Sequence, residues 1–178
     1  MNMRNKLLTM ALLTLTLTIG AQYAGAVTGT VAVTATTEGS VAMTFVTDVA
    51  GITLGGSGTD AASIAFGTVS AFGAAPPTGV TRTVTGTTSW SLSTPFDVVV
   101  QAANGPGEEG TYTLSAGLQT SDLVNDWTVG GTTLDTSPTV LNGTGAYGST
   151  PYVLQLTIPF TAAAATISNT INFEAVAN

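Results

Sequence analysis

The longest alternating stretch of the chain, VTRTVTGTTSWSLS at residues 80–93, places threonine or serine at every second position. A period of two is that of a β-strand with one buried face, because successive side chains point to opposite sides of a sheet. Shorter stretches of the same kind recur between clusters of Gly, Pro, Asn and Asp, which favour turns. The pattern predicts an all-β fold, an immunoglobulin-like or jelly-roll-like β-sandwich of nine or ten short strands.

The predicted strands follow from these alternating stretches and from the branched Val and Thr side chains that favour pleated sheets. They are residues 27–37, 41–49, 62–72, 80–93, 95–102, 111–118, 151–160 and 166–178, with a short hairpin at 127–134 around Gly130-Gly131. Residues 104–110 and 142–150 are predicted as turn and loop. One helical turn is predicted in SDLVNDW, residues 121–127, with Ser121 or Asp122 as its cap.

Residues 1–26 have the features of an export signal. Arg4 and Lys6 precede an apolar stretch from Leu7 to Gly20, and Ala24-Gly25-Ala26 is a typical cleavage site. The apolar stretch is shorter than the roughly 20 residues that a membrane-spanning helix needs. We therefore expect a single β-sandwich domain of residues 27–178 that is secreted or at the cell surface, without membrane insertion after signal cleavage.

The charge of residues 27–178 excludes several classes of partner. Arg82 is the only basic side chain against ten carboxylates, which gives a formal charge of 1 − 10 = −9. Nucleic acids and anionic membrane surfaces are bound through several Lys and Arg contacts, so we expect neither as a partner. Asp97 is the predicted ion-pair partner of Arg82 across a hairpin.

The residues that usually carry catalysis are almost absent. The chain has no His and no Cys, and its only Lys lies in the signal segment. No imidazole or amine base, thiol nucleophile or usual zinc ligand is therefore available, and Glu108-Glu109 are adjacent turn residues whose side chains diverge. We predict a protein that is not an enzyme and has no metal or cofactor. Two interpretations of Asp122 and Asp126 stay open, solvated loop charges, which are favoured, or a weak calcium site.

The aromatic residues leave a second function open. Trp90 alternates with Val84 and Leu92, as a core residue does. Trp127 and Tyr147 lie in a less regular region and are candidate ligand contacts. If both lay on one open face, they would favour a secreted polysaccharide-binding or adhesin module.

The stretch VTGTVAVTATT, residues 27–37, follows the predicted cleavage site and has the pattern of a strand. It belongs either to the sheet of its own molecule or to that of a neighbouring copy; its free end and the hinge-like Glu38-Gly39-Ser40 favour donation to a neighbour. The candidate subunit contacts are the residues of one face, Val27, Gly29, Val31, Val33 and Ala35.

Three motifs support a family resemblance. Phe66-Gly67, the strand from Thr111 to Gly117 and the turn from Trp127 to Gly131 are similar to motifs of the secreted spore-coat-U and archaic fimbrial subunits, which are pilin-like chaperone–usher proteins. The similarity covers about half of residues 27–178. The cysteines common in that group are absent, and Ala177 stands where the group has an aromatic residue.

The resemblance implies an incomplete immunoglobulin-like sandwich whose missing strand comes from the N-terminal extension of the next subunit. It implies copies of the same chain as partners, in a homopolymer, and a periplasmic chaperone. The predicted function is a structural subunit of an extracellular fibre, pilus or surface coat that assembles by β-strand addition.

Overall fold

Nine β-strands make up the regular structure in the computed structural model, which describes residues 41–102 and 110–178. These ranges contain no helix, so the predicted all-β class is confirmed. The strands are β1 (Val41–Val46), β2 (Thr81–Thr85), β3 (Ser89–Ala102), β4 (Thr111–Leu118), β5 (Asp126–Val129), β6 (Thr132–Thr133), β7 (Thr139–Ala146), β8 (Gly148–Pro159) and β9 (Ile171–Ala177).

The strands form two antiparallel sheets. The larger sheet has the order β1-β3-β8-β5-β6, with β2 paired to β3 beside β1, and the smaller has the order β7-β4-β9. Buried side chains from both sheets form one hydrophobic core, including Val98 and Val100 of β3 and Tyr112 and Leu114 of β4. Together the two sheets form the predicted β-sandwich.

β3 is the central strand of the larger sheet and continues through a proline. It pairs with β8 from Ser89 to Val100, while its pairing with β2 ends at Ser93 and its pairing with β1 begins at Asp97. At Pro95 the strand therefore has one neighbour only, and the missing N–H costs no bond to a second strand. The sequence predicted two strands here, 80–93 and 95–102; the first is instead the β2–β3 hairpin.

Most other strand predictions agree with the structure. β4 has the predicted bounds, β1 ends three residues earlier than predicted, and the hairpin of β5 and β6 turns at Gly130 and Gly131 with φ angles of 58° and 81°. Positive φ at both central residues is typical of the type I′ hairpin turn. The predicted loop 142–150 is wrong, because β7 and the start of β8 occupy most of it, and residues 166–170 precede β9 without joining a ladder.

Residues 1–40 and the 104–109 part of the predicted turn lie outside the described residues, together with residue 103. The predicted signal segment and the 27–37 strand therefore stay predictions. All of the described residues belong to one compact unit. The described residues include no helix of the length and apolarity that a membrane crossing requires.

Candidate functional site

A large apolar cleft opens onto the inner face of the six-stranded sheet. Its volume is about 1190 Å³. Its floor consists of large side chains from β3, β5 and β8 that point away from solvent: Trp90, Leu92, Phe96, Trp127, Leu154, Leu156 and Ile158. The floor of the cleft is thus lined by buried side chains of the hydrophobic core rather than by polar groups.

Residues 60–71 form the first wall of the cleft. Ile64 and Phe66 are half-buried between exposed neighbours. After Gly67, whose φ is 71°, the half-buried positions change from even to odd numbers, at Val69 and Ala71. The predicted strand 62–72 is wrong as a ladder strand, because no described strand lies beside it. Residues 64–69 make no backbone–backbone hydrogen bond to any described residue.

The second wall comprises most of residues 158–173, which are the end of β8, the following link and the start of β9. Among the described residues, β9 pairs only with β4. Its inward side chains, Ile171, Phe173 and Ala175, are half-buried, whereas the equivalent positions of β4 are fully buried. The smaller sheet therefore lacks cover at its β9 side, where the cleft lies.

The two walls run in opposite directions. The start of the first wall lies near Phe45, because the Phe45 N–H donates to the Thr59 carbonyl at 2.8 Å. The end of the second wall also lies there, since the rings of Phe45 and Phe173 are 5.1 Å apart. The other ends meet where Phe72 stacks on Phe160 at 5.7 Å. The cleft therefore runs between two antiparallel walls, from Phe45 at one end to the Phe72–Phe160 pair at the other.

The chemistry of the cleft is that of apolar contact. Asp60 is the only ionisable side chain among the described lining residues, and it is exposed. Across the described part of the chain, no group of three or more His, Cys, Asp or Glu side chains is arranged to hold a metal ion. What the cleft offers is apolar side chains on its floor and backbone N–H and C=O groups on its walls.

Trp127, a predicted ligand contact, lies in the floor of the cleft and is only 6% exposed. Its indole N–H donates to Oδ2 of Asp122 at 2.8 Å. The backbone N–H groups of Val124 and Asn125 donate to Oδ1 of the same carboxylate at 3.0 and 2.9 Å. These bonds form a tight turn, and the predicted helical turn at 121–127 is wrong.

The same bonds determine the charge state of Asp122. Burial alone raises the pKa of Asp122, but the hydrogen bonds from Trp127, Asn125 and Val124 outweigh it and lower the pKa from 3.8 to about 2. Its oxygens already accept N–H donors, while Asp126 is exposed at the start of β5. This arrangement favours a structural carboxylate over the calcium alternative.

Tyr147, the other predicted ligand contact, is half-buried between β7 and β8, with its ring 5.9 Å from that of Tyr112. Since Trp127 is buried, the two residues do not form the exposed aromatic face that a polysaccharide-binding module requires.

The predicted ion pair between Arg82 and Asp97 is wrong. Arg82 lies opposite Leu92 on β3, whereas Asp97 is five positions further along that strand, or roughly 17 Å at 3.3 Å per residue. Its guanidinium donates instead to the carbonyl oxygens of Ser70 and Ala74, at 2.9 Å each, and of Gly73 at 3.4 Å.

The predicted subunit contacts Val27, Gly29, Val31, Val33 and Ala35 lie outside the described residues. Sequence reasoning missed the second wall, because the run of alanines at 162–165 has no periodic pattern. No protein-family model matches this chain, and no curated protein matches it either.

Proposed function

We propose that the protein is a structural subunit of an extracellular fibre or coat, and that residues 27–37 of one copy occupy the cleft of the next. The cleft carries this proposal. It is apolar and lies beside a β9 that pairs on one side only among the described residues, which supports the addition of a strand there.

The chemistry of residues 27–37 complements the cleft. The segment has no charged side chain, and Val27, Val31 and Val33 share one face. Burying a valine is worth about 1.5 to 3 kcal/mol before ordering costs, so three of them supply several kcal/mol. About ten extended residues span roughly 33 Å at 3.3 Å each, enough to cross a sandwich.

Backbone groups in the cleft also favour a strand over other ligands. Residues 64–69 make no backbone hydrogen bond to the described part of the chain, and neither do residues 163–168 of the opposite wall. An added strand supplies N–H and C=O partners along its whole length, which is how β-strand addition gains affinity. In this proposal the subunits of the fibre are copies of one chain. A periplasmic chaperone would cover the cleft until assembly.

The test is electron microscopy of the purified mature protein beside a matched pair of variants. Val31→Asp places a charge on the face that would enter the cleft, and Thr30→Asp places the same charge on the opposite face. We expect filaments from the unchanged protein and from Thr30→Asp, and none from Val31→Asp.

Deletion of residues 27–37 separates donation from an intramolecular strand. If the strand is donated, the shortened protein folds, is secreted and does not polymerise. A shortened protein that fails to fold, beside a full-length protein that stays monomeric at high concentration, would show that the strand completes its own sheet.

A further inference from the structure

An aromatic pair closes one end of the cleft. Phe72 follows the first wall and Phe160 begins the link in the second, and their rings stack almost parallel, with 8° between the planes. Phe72 is nevertheless 70% exposed, so burial alone does not hold it there. The ends of the two walls are thus joined by this stack.

Arg82 holds the turn that carries Phe72. Its guanidinium donates to the carbonyls of Ser70, Gly73 and Ala74. These residues precede and follow Phe72 in the sequence, so the turn is held on both sides of Phe72. The hydroxyl of Ser70 donates to the carbonyl of Phe72 itself. Since Arg82 belongs to β2, which pairs with β3, the turn is attached to the sheet rather than to a free loop.

Phe160 is fixed as well. Its N–H donates to the carbonyl of Thr88 at 2.9 Å, which ties it to the turn between β2 and β3. Both rings of the pair are therefore anchored to the same hairpin. The stack and the hairpin together therefore join the two walls at this end of the cleft.

The 27–37 segment needs such a boundary, because its own sequence specifies its position poorly. Val, Ala, Gly and Thr repeat with a period of two, and a shift of two residues keeps the same small apolar side chains facing inward. Register is weakly specified in strands of this kind. The large side chains that would resist such a shift are absent from it.

We infer that the Phe72–Phe160 pair, held by Arg82, is a stop that fixes the register of the strand entering the cleft. This inference rests on the proposed function, since it assigns a role to the closed end of the same cleft. Arg82 and Phe72 act as positioning residues, and most of the binding free energy comes from the cleft floor.

Disulfide trapping in the full-length mature protein tests the stop, because the chain has no natural cysteine. One cysteine replaces Asn172, an exposed residue of β9 beside the cleft. A second cysteine is placed in turn at each outward position of the segment, Thr28, Thr30, Ala32, Thr34 and Thr36. Neighbouring strands bring Cβ atoms within reach of a disulfide only at matching positions.

With the stop intact, we expect one position of the segment to cross-link at least about tenfold more than positions two residues away, equivalent to about 1.4 kcal/mol of register preference. Phe72→Ala and Arg82→Gln should each spread the cross-links to those neighbouring positions, to within about threefold of each other. Val49→Ala, which trims a fully exposed apolar side chain outside the pair, should leave the single position unchanged.

The outcomes separate the stop from the proposed function. Ladders of cross-linked chains on a denaturing gel would support donation between copies. If every variant, including Phe72→Ala and Arg82→Gln, still cross-links at one register, the stop is overturned and donation is not. Cross-links confined within single chains overturn donation between copies, but the effect of Phe72→Ala on register still decides the stop. Failure to cross-link at any position overturns both.

Discussion

The Asp122 carboxylate fixes the side-chain amide of Asn125 as well as the indole of Trp127. The amide nitrogen of Asn125 donates to both carboxylate oxygens, at 3.3 and 3.0 Å. This orientation leaves Oδ1 of Asn125 buried and without a hydrogen-bond partner among the described residues. A buried acceptor without a partner is costly, so the bonds to Asp122 must outweigh that cost.

The lowered pKa of Asp122 predicts acid-sensitive stability. The folded-state pKa, about 2, lies below the ordinary value of 3.8. The contribution of Asp122 is therefore complete above about pH 4 and is lost as the pH falls towards 2. Trp127→Phe removes one donor to this carboxylate, so at neutral pH the free energy of unfolding should fall by about 1 kcal/mol more than in a Trp→Phe variant that loses only packing. The loss between pH 4 and 2 should become smaller.

Trp90→Phe is the control for this measurement. It removes the same atoms from another buried tryptophan in the cleft floor, but no bond to Asp122. Its unfolding curve should keep the wild-type dependence on pH. If the two variants lose stability in parallel from pH 7 to pH 2, the hydrogen bond from Trp127 does not determine the pKa.

At the scale of strands, the sequence predicted best the elements that their own residues specify. β4 and the Gly130-Gly131 hairpin had the predicted positions because alternation and turn chemistry act locally. Residues 62–72 have the same local pattern yet join no ladder with a described strand, since pairing depends on what lies beside a segment. The resemblance implied a missing strand but named no cleft residues, and the second wall of the cleft left no periodic signal in the sequence.

The pairing of β4 with β7 depends on a glycine. The ring of Tyr112, fully buried in β4, lies over Gly145 of β7, and a Cβ at Gly145 would be only 2.5 Å from the Cζ atom of Tyr112. We expect Gly145→Ala to destabilise the protein by about 1 to 3 kcal/mol, because the buried ring has to move. Chemical denaturation with fluorescence detection measures the change.

Gly143→Ala in the same strand is the matched control. Its nearest neighbour would be Cγ1 of Val140 at 4.0 Å, an ordinary van der Waals contact. This variant should unfold within about 0.5 kcal/mol of the wild type. Equal losses for both alanines would mean that the flexibility of glycine in β7, rather than the Tyr112 ring, determines the effect.

At the scale of the whole molecule, negative charges far outnumber positive ones. Residues 27–178 have ten carboxylates and one guanidinium, and among the described residues that guanidinium binds backbone carbonyls rather than a carboxylate. Copies of the chain therefore repel one another at long range, and the proposed assembly has to rely on short-range contacts such as an apolar cleft. Salt at about 0.15 M shortens this repulsion to roughly 8 Å, so filaments should form faster there than in low salt.

The single basic residue also determines how the whole mature chain responds to trypsin. Cleavage after Arg82 requires its side chain and several neighbouring residues to leave their native positions. In the folded protein the guanidinium is held by three carbonyls, and β2 is hydrogen-bonded to β3. Trypsin should therefore act only through local opening, at a rate that follows the stability of this hairpin.

We expect the native protein to stay intact under conditions in which the unfolded protein yields two fragments, residues 27–82 and 83–178. Mass spectrometry identifies them, and Arg82→Gln should abolish cleavage even when unfolded. Additional tryptic fragments from the secreted protein would place the processing site before Arg4 or Lys6 and contradict the predicted signal segment.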